Sequence, residues 1–590
     1  MTHLFMFQIG PVQSFIAQAR RTQDLFVGSQ ILSELALAGV WAAKQSASFE
    51  PVFPFISDDY VPRSVPHKFA FLSDDAPEEV ACSVRQAVDK RWIEGFANRV
   101  KVYLSNTLKL GDGEWVGVFQ RQIRSWLEFS WIAVPYDPGK HSESFKAAGR
   151  AMAQRKYARP FVQVDEPGVK CTLTGAQTAL PLDWEALSKH LREIVVRPNE
   201  RLGAIATIKR FAQDAGCFED DAVVRFPSAI GVATNDPNNN EEDDDENGGR
   251  EVEGYLAILH MDGDQMGNAL GTLKTLEQHQ EFSRVLAEFA DRQVEPIISD
   301  ICWREDGSPG AGVLVYAGGD DVLALLPLSK AIPCAQELRK AFENTAQKAL
   351  PGGRMTMSAG LSIVPHKLPF DMGLEMARKA EDTAKDRYRV IDKARPENSQ
   401  GAIYVVESHG SGQRESGGCW DEIGFVDEFQ RRFGAKELSS KYGYDILELH
   451  QRLGGGNANN GFDVQVVIVS EAKRIIRRRA SEKLDEHGKG AGSYRSPIRW
   501  RPLRRRSTRA LLSARTTVGN ALPTGSFSRG SWRAPESEAN NDESVGVYPS
   551  ARCVDVSGQQ AVFSRAELRR TQHVPAHTAD DARGFADTLS

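Results

Sequence analysis

The sequence predicts an α+β fold, and three observations carry that expectation. The composition, 41% apolar and 26% charged over 590 residues, is that of an ordinary water-soluble chain long enough for several domains. Short apolar runs of strand length alternate with amphipathic stretches of helical length. Between residues 254 and 391 those runs follow the order β-α-β-β-α-β, the split or ferredoxin-like arrangement.

Taken along the chain, LFMFQI (4–9) reads as a short buried strand, broken by Gly10-Pro11. A helical stretch opens near Val12, with apolar Phe15, Ile16, Ala19, Leu25 and Phe26. Residues 51–80 mix Pro, Ser and Asp with short β-like runs, and helical patterns return at 79–107 and 115–130. From 150 to 235 the pattern is mixed, with RLGAIATIKRF (201–211) as its clearest amphipathic piece. DPNNNEEDDDENGGRE (235–250) is an acidic, low-complexity stretch that cannot pack a core and marks a boundary.

Beyond it, GYLAILHM (254–261) is a strand and 272–299 a long amphipathic helix. Val313–Tyr316 and Val322–Pro327 are strands joined by a tight AGGDD turn. Helices over 330–349 and 371–391 flank the strand MTMSAGLSIV (355–364), and the sheet is expected to carry its helices on one face. AIYVV (402–406) extends the block, and helices dominate 420–479.

Several classes are excluded. No apolar run approaches the roughly 20 residues of a membrane span; Ile31–Ala43 is interrupted by Ser33 and Glu34. The N-terminus has no basic region or small-residue cleavage site of a secretory signal. Seven scattered cysteines fit reduced thiols in a cytoplasm better than a disulfide framework. The net charge of −6 is split: residues 491–590 hold 15 Arg, no Lys and 9 acidic residues, leaving an acidic body. Such a body is a poor general adhesive for nucleic acid, so any RNA contact is expected to be local or made through other subunits.

The strongest chemical constellation is Asp262-Gly263-Asp264 at one strand end, with Gly318-Gly319-Asp320-Asp321 in the later hairpin. The first and third strands of a ferredoxin-like sheet are neighbours, so the two motifs can meet at one edge. Carboxylates gathered there repel unless cations lie between them, and hard oxygen ligands suit Mg²⁺ or Mn²⁺. Asp262, Asp320, Asp321 and Asp264 are the candidate metal ligands, and the first three the candidate catalytic residues. Two ions so held can stabilise both the attacking and the leaving oxygens of an in-line displacement. Gly318 and Gly319 permit positive φ and close approach of a triphosphate; the plain alternative is a Gly-Gly-Asp turn with solvated carboxylates. Lys385 is a candidate for phosphate oxygens or a solvated helix lysine, and Ser358 a candidate beneath a base or ribose or a packed strand residue.

These residues carry a resemblance. FQIGPVQSFIAQARRTQDLFVGSQILSEL, LHMDGDQMG, VYAGGDDVLAL and MSAGLSI followed by AEDTAK resemble, in order, the large subunit of type III-B CRISPR effector complexes. The resemblance runs over about residues 1–410. It implies two polymerase-like palm domains, the first degenerate and the second bearing GGDD. The fold expected is therefore α+β, with two ferredoxin-like palms, an intervening mixed α/β region and a C-terminal helical domain. It also implies cyclic oligoadenylate synthesis from ATP when the assembled complex, with guide RNA, binds target RNA. Nucleotide contacts then fall to Gly263, Gly318, Gly319, Ser358 and Lys385. Ser14, beside Gln13 at a helix N-terminus, would border a second nucleotide or serve only as a cap.

The expected organisation is a first palm at 1–165, a linker domain at 166–234, the acidic linker at 235–250, the GGDD palm at 251–412 and the start of a helical domain at 413–479. Residues 480–590 read as an Arg/Ser-rich tail, either disordered or the product of a frame change. Where relatives carry paired CxxC motifs, only Cys171 is present; Thr174, Gly203 and Ala206 occupy the other positions, so no structural zinc is expected. The sequence contains no His-Asp dipeptide, so HD-type nuclease activity is not expected. Two competing readings stand beside the leading one: a stand-alone nucleotide cyclase, and a catalytically inert scaffold of the same ribonucleoprotein.

Overall fold

The structure, a computed structural model, describes residues 1–475 apart from breaks of which the longer are 159–165, 191–195, 219–225, 240–253 and 453–469. Most of the acidic 235–250 stretch and all of the 480–590 tail lie outside the described residues.

The N-terminal sheet consists of β1 (His3–Gly10), β2 (Glu50–Phe53), β3 (Lys68–Ser73) and β4 (Glu128–Pro135), in the antiparallel order β2-β3-β1-β4. The connecting helices are α1 (Gln13–Ala17), α2 (Thr22–Lys44), α3 (Pro77–Lys90), α4 (Asn98–Thr107) and α5 (Glu114–Trp126). Leu4, Phe5, Met6 and Phe7 are all fully buried because both faces of β1 are covered, which explains a continuous apolar run instead of alternation. On one face Phe5 stacks on Phe71 and Phe7 on Phe69, each pair with ring centroids 5.2 Å apart, in a core shared with α2. On the other, Leu4 and Met6 meet Ala148, Ala151 and Met152 of α6 (His141–Tyr157). By length and composition α2 could cross a membrane, yet Leu25, Ile31, Leu35 and Ala36 lie fully buried in this core.

The middle segment contributes α7 (Trp184–His190), α8 (Ala204–Phe211) and α9 (Ala229–Thr234). The 201–211 stretch, amphipathic by sequence, has every residue of α8 buried, Lys209 and Arg210 included. Each cation has a reason to be inside. Arg210 is forked between Asp24 (2.9 and 3.0 Å) and Glu200 (3.0 Å), a triad that offsets the cost of burying its charge. Lys209 Nζ donates to the carbonyls of Phe15, Ile16 and Gln18 at the C-terminal end of α1, where helix carbonyls lack partners. Cys171 is buried in a turn whose Thr172 donates its N–H to Arg201 O at 2.8 Å.

The second sheet comprises β5 (Tyr255–Gly263), β6 (Val313–Gly318), β7 (Asp321–Pro327), β8 (Met357–Pro365), β9 (Ala402–His409) and β10 (Gly412–Cys419), in the order β10-β9-β8-β5-β7-β6. Its helices are α10 (Met266–Thr272), α11 (Leu276–Arg292), α12 (Val294–Cys302), α13 (Leu328–Ala346) and α14 (Phe370–Arg387), followed by α15 (Trp420–Gly434) and α16 (Lys441–Arg452). The expected single 272–299 helix is divided at Gln293.

The expectation of helices on one face needs correction. Ala257, Leu259 and Met261 of β5 pack with α11, α12 and α13, whereas Leu256 and Ile258 pack with Leu374 and Ala377 of α14 and share a core with the first domain. Gly360 makes this possible: a Cβ there would lie 2.0 Å from Ala377 O and 2.3 Å from Glu381 N, so α14 rests directly on β8. The two sheet domains are joined by side-chain contacts. Tyr60 donates to Asp291 (2.9 Å), Arg63 pairs with Glu295 (2.8 Å), and Ser142 donates to Gly271 O (2.8 Å).

Candidate functional site

β5 and β7 are antiparallel neighbours with Met261 opposite Val322, so Asp262 and Asp321 emerge side by side. Gly319, at φ +81°, turns the chain back between β6 and β7. Gly263 has no side chain to hold the hairpin away: a Cβ there would meet Asp320 Cβ at 3.0 Å and Oδ2 at 3.1 Å. Asp262, Asp320 and Asp321 thus converge as the two motifs anticipate, and Gly318 leaves open space beside the turn.

Their electrostatics record the crowding. Enclosure by the protein, then the charges of Asp262 and Asp321, push the Asp320 carboxyl well above its usual range. Burial and Asp262 push Asp321 up to about 7. Asp321 is steadied by Tyr316, whose hydroxyl donates to Oδ2 at 3.0 Å, and by His260, whose Nε2 lies 3.4 Å from Oδ1. Asp262 and Asp321 keep 34% and 38% of their side chains exposed, so the cluster is reachable from solvent.

Lys385 reaches the cluster from α14 and bridges Asp262 to Glu381, the latter at 2.6 Å. Although burial opposes its charge, Asp262 and Glu381 hold Lys385 firmly protonated. Glu381, only 5% exposed, is a fourth carboxylate that the sequence reading missed; burial pushes it up to about 7. Its signal was present in AEDTAK, where it lies four residues before Lys385 and hence on the same helix face. His260 was missed too. Burial, with Arg378 and Lys385 nearby, pushes it down to about 3, so it is a neutral imidazole beside Asp321.

Two expected site residues are not brought to the cluster. Asp264 is turned inward at 3% exposure, where Thr356 Oγ1 (2.7 Å), Ser358 Oγ (2.9 Å) and Arg389 Nη1 (3.2 Å) occupy its oxygens. Ser358, fully buried, donates to Asp264 and accepts from the Ala402 N–H at 3.1 Å, so its hydroxyl faces no open space. The two aspartates of DGD part because β5 ends at Gly263 and Asp264 opens a turn, outside the alternation of the strand. Ser14 is exposed inside the five-residue α1, whose first turn is preceded by Val12, and α1 packs against α14.

The donor set fits a hard divalent cation. Asp262 and Asp320 face each other within hydrogen-bond reach, and both Asp320 and Asp321 have proton affinities raised by like charge and enclosure. Among the described residues no three acidic, His or Cys side chains form a ready-made cage, and Asp262 is paired with Lys385.

A β-α-β-β-α-β sheet with carboxylates at the ends of its first and third strands defines a palm domain, the fold of nucleotidyl cyclases and polymerases. Comparison with known proteins narrows the class. The second palm domain of Cas10/Cmr2 matches residues 255–390, and the N-terminal domain of the CRISPR-associated protein Cmr2 matches residues 4–107. Two segments of the chain therefore match models of the Cas10/Cmr2 large-subunit family. It is 36% identical over 151 residues to the CRISPR system Cmr subunit Cmr2 of Pyrococcus furiosus, covering 21% of this chain and 16% of that one. It is 28% identical over 144 residues to the single-strand-specific deoxyribonuclease Cas10/Csm1 (subtype III-A) of Mycobacterium tuberculosis, covering 22% and 17%. The alignments therefore span about a sixth of these relatives' own length. In fold it is similar to a chain of the type III-B Cmr-beta complex in its apo state, with a TM-score of 0.60 at 11% identity over 83% of this chain and 78% of that one. For Cmr-beta bound to cognate target RNA the TM-score is 0.57 at 12% identity, covering 83% and 79%.

Proposed function

We propose that this chain is the large subunit of a type III-B RNA-guided CRISPR effector complex in the cytoplasm, and that its second palm converts ATP to cyclic oligoadenylate when target RNA is bound. The observation that carries this reading is the convergence of Asp262, Asp320 and Asp321 beside Lys385. In each step the 3′-oxygen of one ATP bonds to the α-phosphorus of another, the bond to the β-phosphate breaks, pyrophosphate leaves and the hydroxyl proton passes to solvent. The three aspartates would hold Mg²⁺ or Mn²⁺, which when bound lowers the proton affinity of the hydroxyl and stabilises phosphoryl charge. Tyr316 and His260 orient Asp321. Lys385 supplies positive charge to phosphate oxygens, Gly263, Gly318 and Gly319 keep the backbone approachable, and Ser14 borders a second nucleotide from the first palm. Partners follow from the family: the other complex subunits, with guide and target RNA bound through the assembly. The described cysteines are all unpaired, in keeping with a reducing compartment.

One observation favours the inert-scaffold reading: Lys385 pairs with Asp262, and among the described residues no three acidic, His or Cys side chains form a ready-made metal cage. Labelled ATP or GTP with Mg²⁺, given to the chain alone and to the complex with target RNA, separates the readings. ATP-derived oligomers that vanish in Asp320→Ala/Asp321→Ala support the cyclase in its complex. GTP-only dinucleotides favour a stand-alone cyclase, and no turnover favours the scaffold.

A further inference from the structure

Helix α6 turns Ala148, Ala151 and Met152 onto the first sheet, and its opposite face is exposed and basic. Lys146, Arg150 and Tyr157 lie at i, i+4 and i+11, one exposed stripe about 16 Å long, with Lys140 and Lys156 exposed at its two ends. The one acid on the helix, Glu143, sits in its first turn. Among the described residues none of these four cations has a carboxylate within ion-pair distance. Other surface helices pair theirs one turn away: Arg284 with Glu281 on α11, Lys340 with Glu337 on α13, Lys379 with Glu375 on α14. Burial, then the charge of Lys156, pushes His67 down to about 4 and Lys68 below its ordinary value, so the field at the far end of α6 is positive. There Tyr157 leaves its ring 91% exposed.

We infer that the exposed face of α6 binds a single-stranded nucleic acid, with Lys146 and Arg150 on backbone phosphates and Tyr157 stacked on a base. Unpaired cations beside a bare aromatic ring are the combination that holds single strands, whereas protein interfaces are depleted in Lys. The nucleotidyl-transfer reading does not require this contact: there RNA is held through the assembly, and here the chain itself touches the strand. In an otherwise acidic body the stripe is a local place for phosphates to lie. The chain's own acidic run, 241–246, is attached elsewhere. The described chain stops at Asn239, whose carbonyl accepts from Ser228, and resumes at Gly254 against Ile230 and Ala233, before β5. By contrast, α6 meets α10 beyond the end of β5, where Ser142 donates to Gly271 O at 2.8 Å. A strand on α6 therefore passes beside the helix that begins three residues after Gly263.

The test is equilibrium binding of a labelled 20-nucleotide RNA, and of DNA of the same sequence, to the full chain across a salt series. Lys146→Ala/Arg150→Ala removes two phosphate contacts. At about 0.7 in slope per contact, its log–log salt slope should be smaller by about 1.4, and its affinity about 25-fold weaker at 0.1 M salt. Arg284→Ala/Lys340→Ala, with the same change in net charge on paired cations, should stay within about twofold of wild type. Tyr157→Ala should weaken binding about fivefold and Tyr157→Phe should not. All variants should unfold as wild type does. Binding of either strand with this dependence supports the inference, and the tighter one tells RNA from DNA. Equal weakening by both double variants overturns it, as do a duplex bound as tightly as a single strand, wild-type affinity in Tyr157→Ala, and a stability loss that accounts for the weaker binding. Absence of binding by wild type overturns it too. So does polyglutamate bound by wild type and lost in Lys146→Ala/Arg150→Ala, which would make the face a dock for acidic protein.

Discussion

Gly360→Ala is the substitution that most directly tests how the fold makes the site. Ordinary contact begins near 3.4 Å, while a Cβ at this position would lie 2.0 Å from the carbonyl oxygen of Ala377 and 2.3 Å from the nitrogen of Glu381. Both are helix backbone atoms, so no rotamer change relieves the clash, and α14 must retreat by roughly 1.4 Å. Overpacking of this kind costs about 1–3 kcal/mol. The retreat also withdraws Glu381 and Lys385 from Asp262, and a displacement near 1 Å in a positioning group can cost about a hundredfold in rate. Chemical denaturation should show the stability loss, and ATP turnover in the assembled complex should fall by more than that loss of folded protein explains. Gly149→Ala in α6 is the internal comparison. A Cβ there meets nothing within 4 Å, and replacing a helical glycine should stabilise by about 0.5–1 kcal/mol. A Gly360→Ala chain with wild-type stability and turnover would refute the claim that this glycine sets the height of α14.

The two aspartates of DGD should separate cleanly. Asp264→Ala leaves Arg389 and the Ser358 and Thr356 hydroxyls without their acceptor in the interior and should cost about 3 kcal/mol in urea unfolding, whereas Asp262→Ala should abolish oligoadenylate formation with little change in stability. Arg210→Met should destabilise by about 3–5 kcal/mol because Asp24 and Glu200 are left buried without a cation, and the triple change to apolar residues should recover much of that loss. The contact between His141 Nε2 and His279 Nδ1, 3.1 Å, links the two sheet domains, and burial pushes His279 down to about 3. The unfolded chain therefore takes up a proton near pH 6.5 that the folded one refuses. Stability from this group is full above that pH and lost as pH falls toward 3, amounting to about 2 kcal/mol by pH 5, and His279→Asn should flatten that part of the curve.

How much of this was legible depended on whether local pattern and tertiary role agreed. The strand 4–9, the hairpin around 317–321 and the helices near 330–349 and 371–391 are visible because their apolar spacing serves only one sheet or one helix face. β10 was not visible: GQRESGGC has no alternation, and it is a strand because β9 offers a ladder, with Gly417 giving room to the Tyr404 ring. α8 was misleading for the opposite reason. Lys209 and Arg210 suggest a wet face, and only the carbonyls at the end of α1 and the distant Asp24 and Glu200 give them a dry one.

The site divides along the same line. Asp262, Asp320 and Asp321 were legible because their convergence follows from strand order alone, which the β-α-β-β-α-β succession already implies. Asp264 was placed in the site by its nearness to Asp262 in sequence and Ser358 by its position in the SAG stretch of the last strand, but Asp264 follows the end of β5 and is turned inward onto Ser358, and no spacing rule reveals that turn. Glu381 enters from α14, which Gly360 lets rest on β8, and His260 from β5, the neighbouring strand. Four carboxylates are thereby gathered around Lys385, one paired positive group among four potential negative ones. Such a cluster must keep protons or take up cations, and the raised proton affinities of Asp320, Asp321 and Glu381 are the first of those alternatives. The energy that holds α14 against the sheet is therefore partly spent on confining like charge, and any ligand that relieves the repulsion must stabilise the palm as it binds.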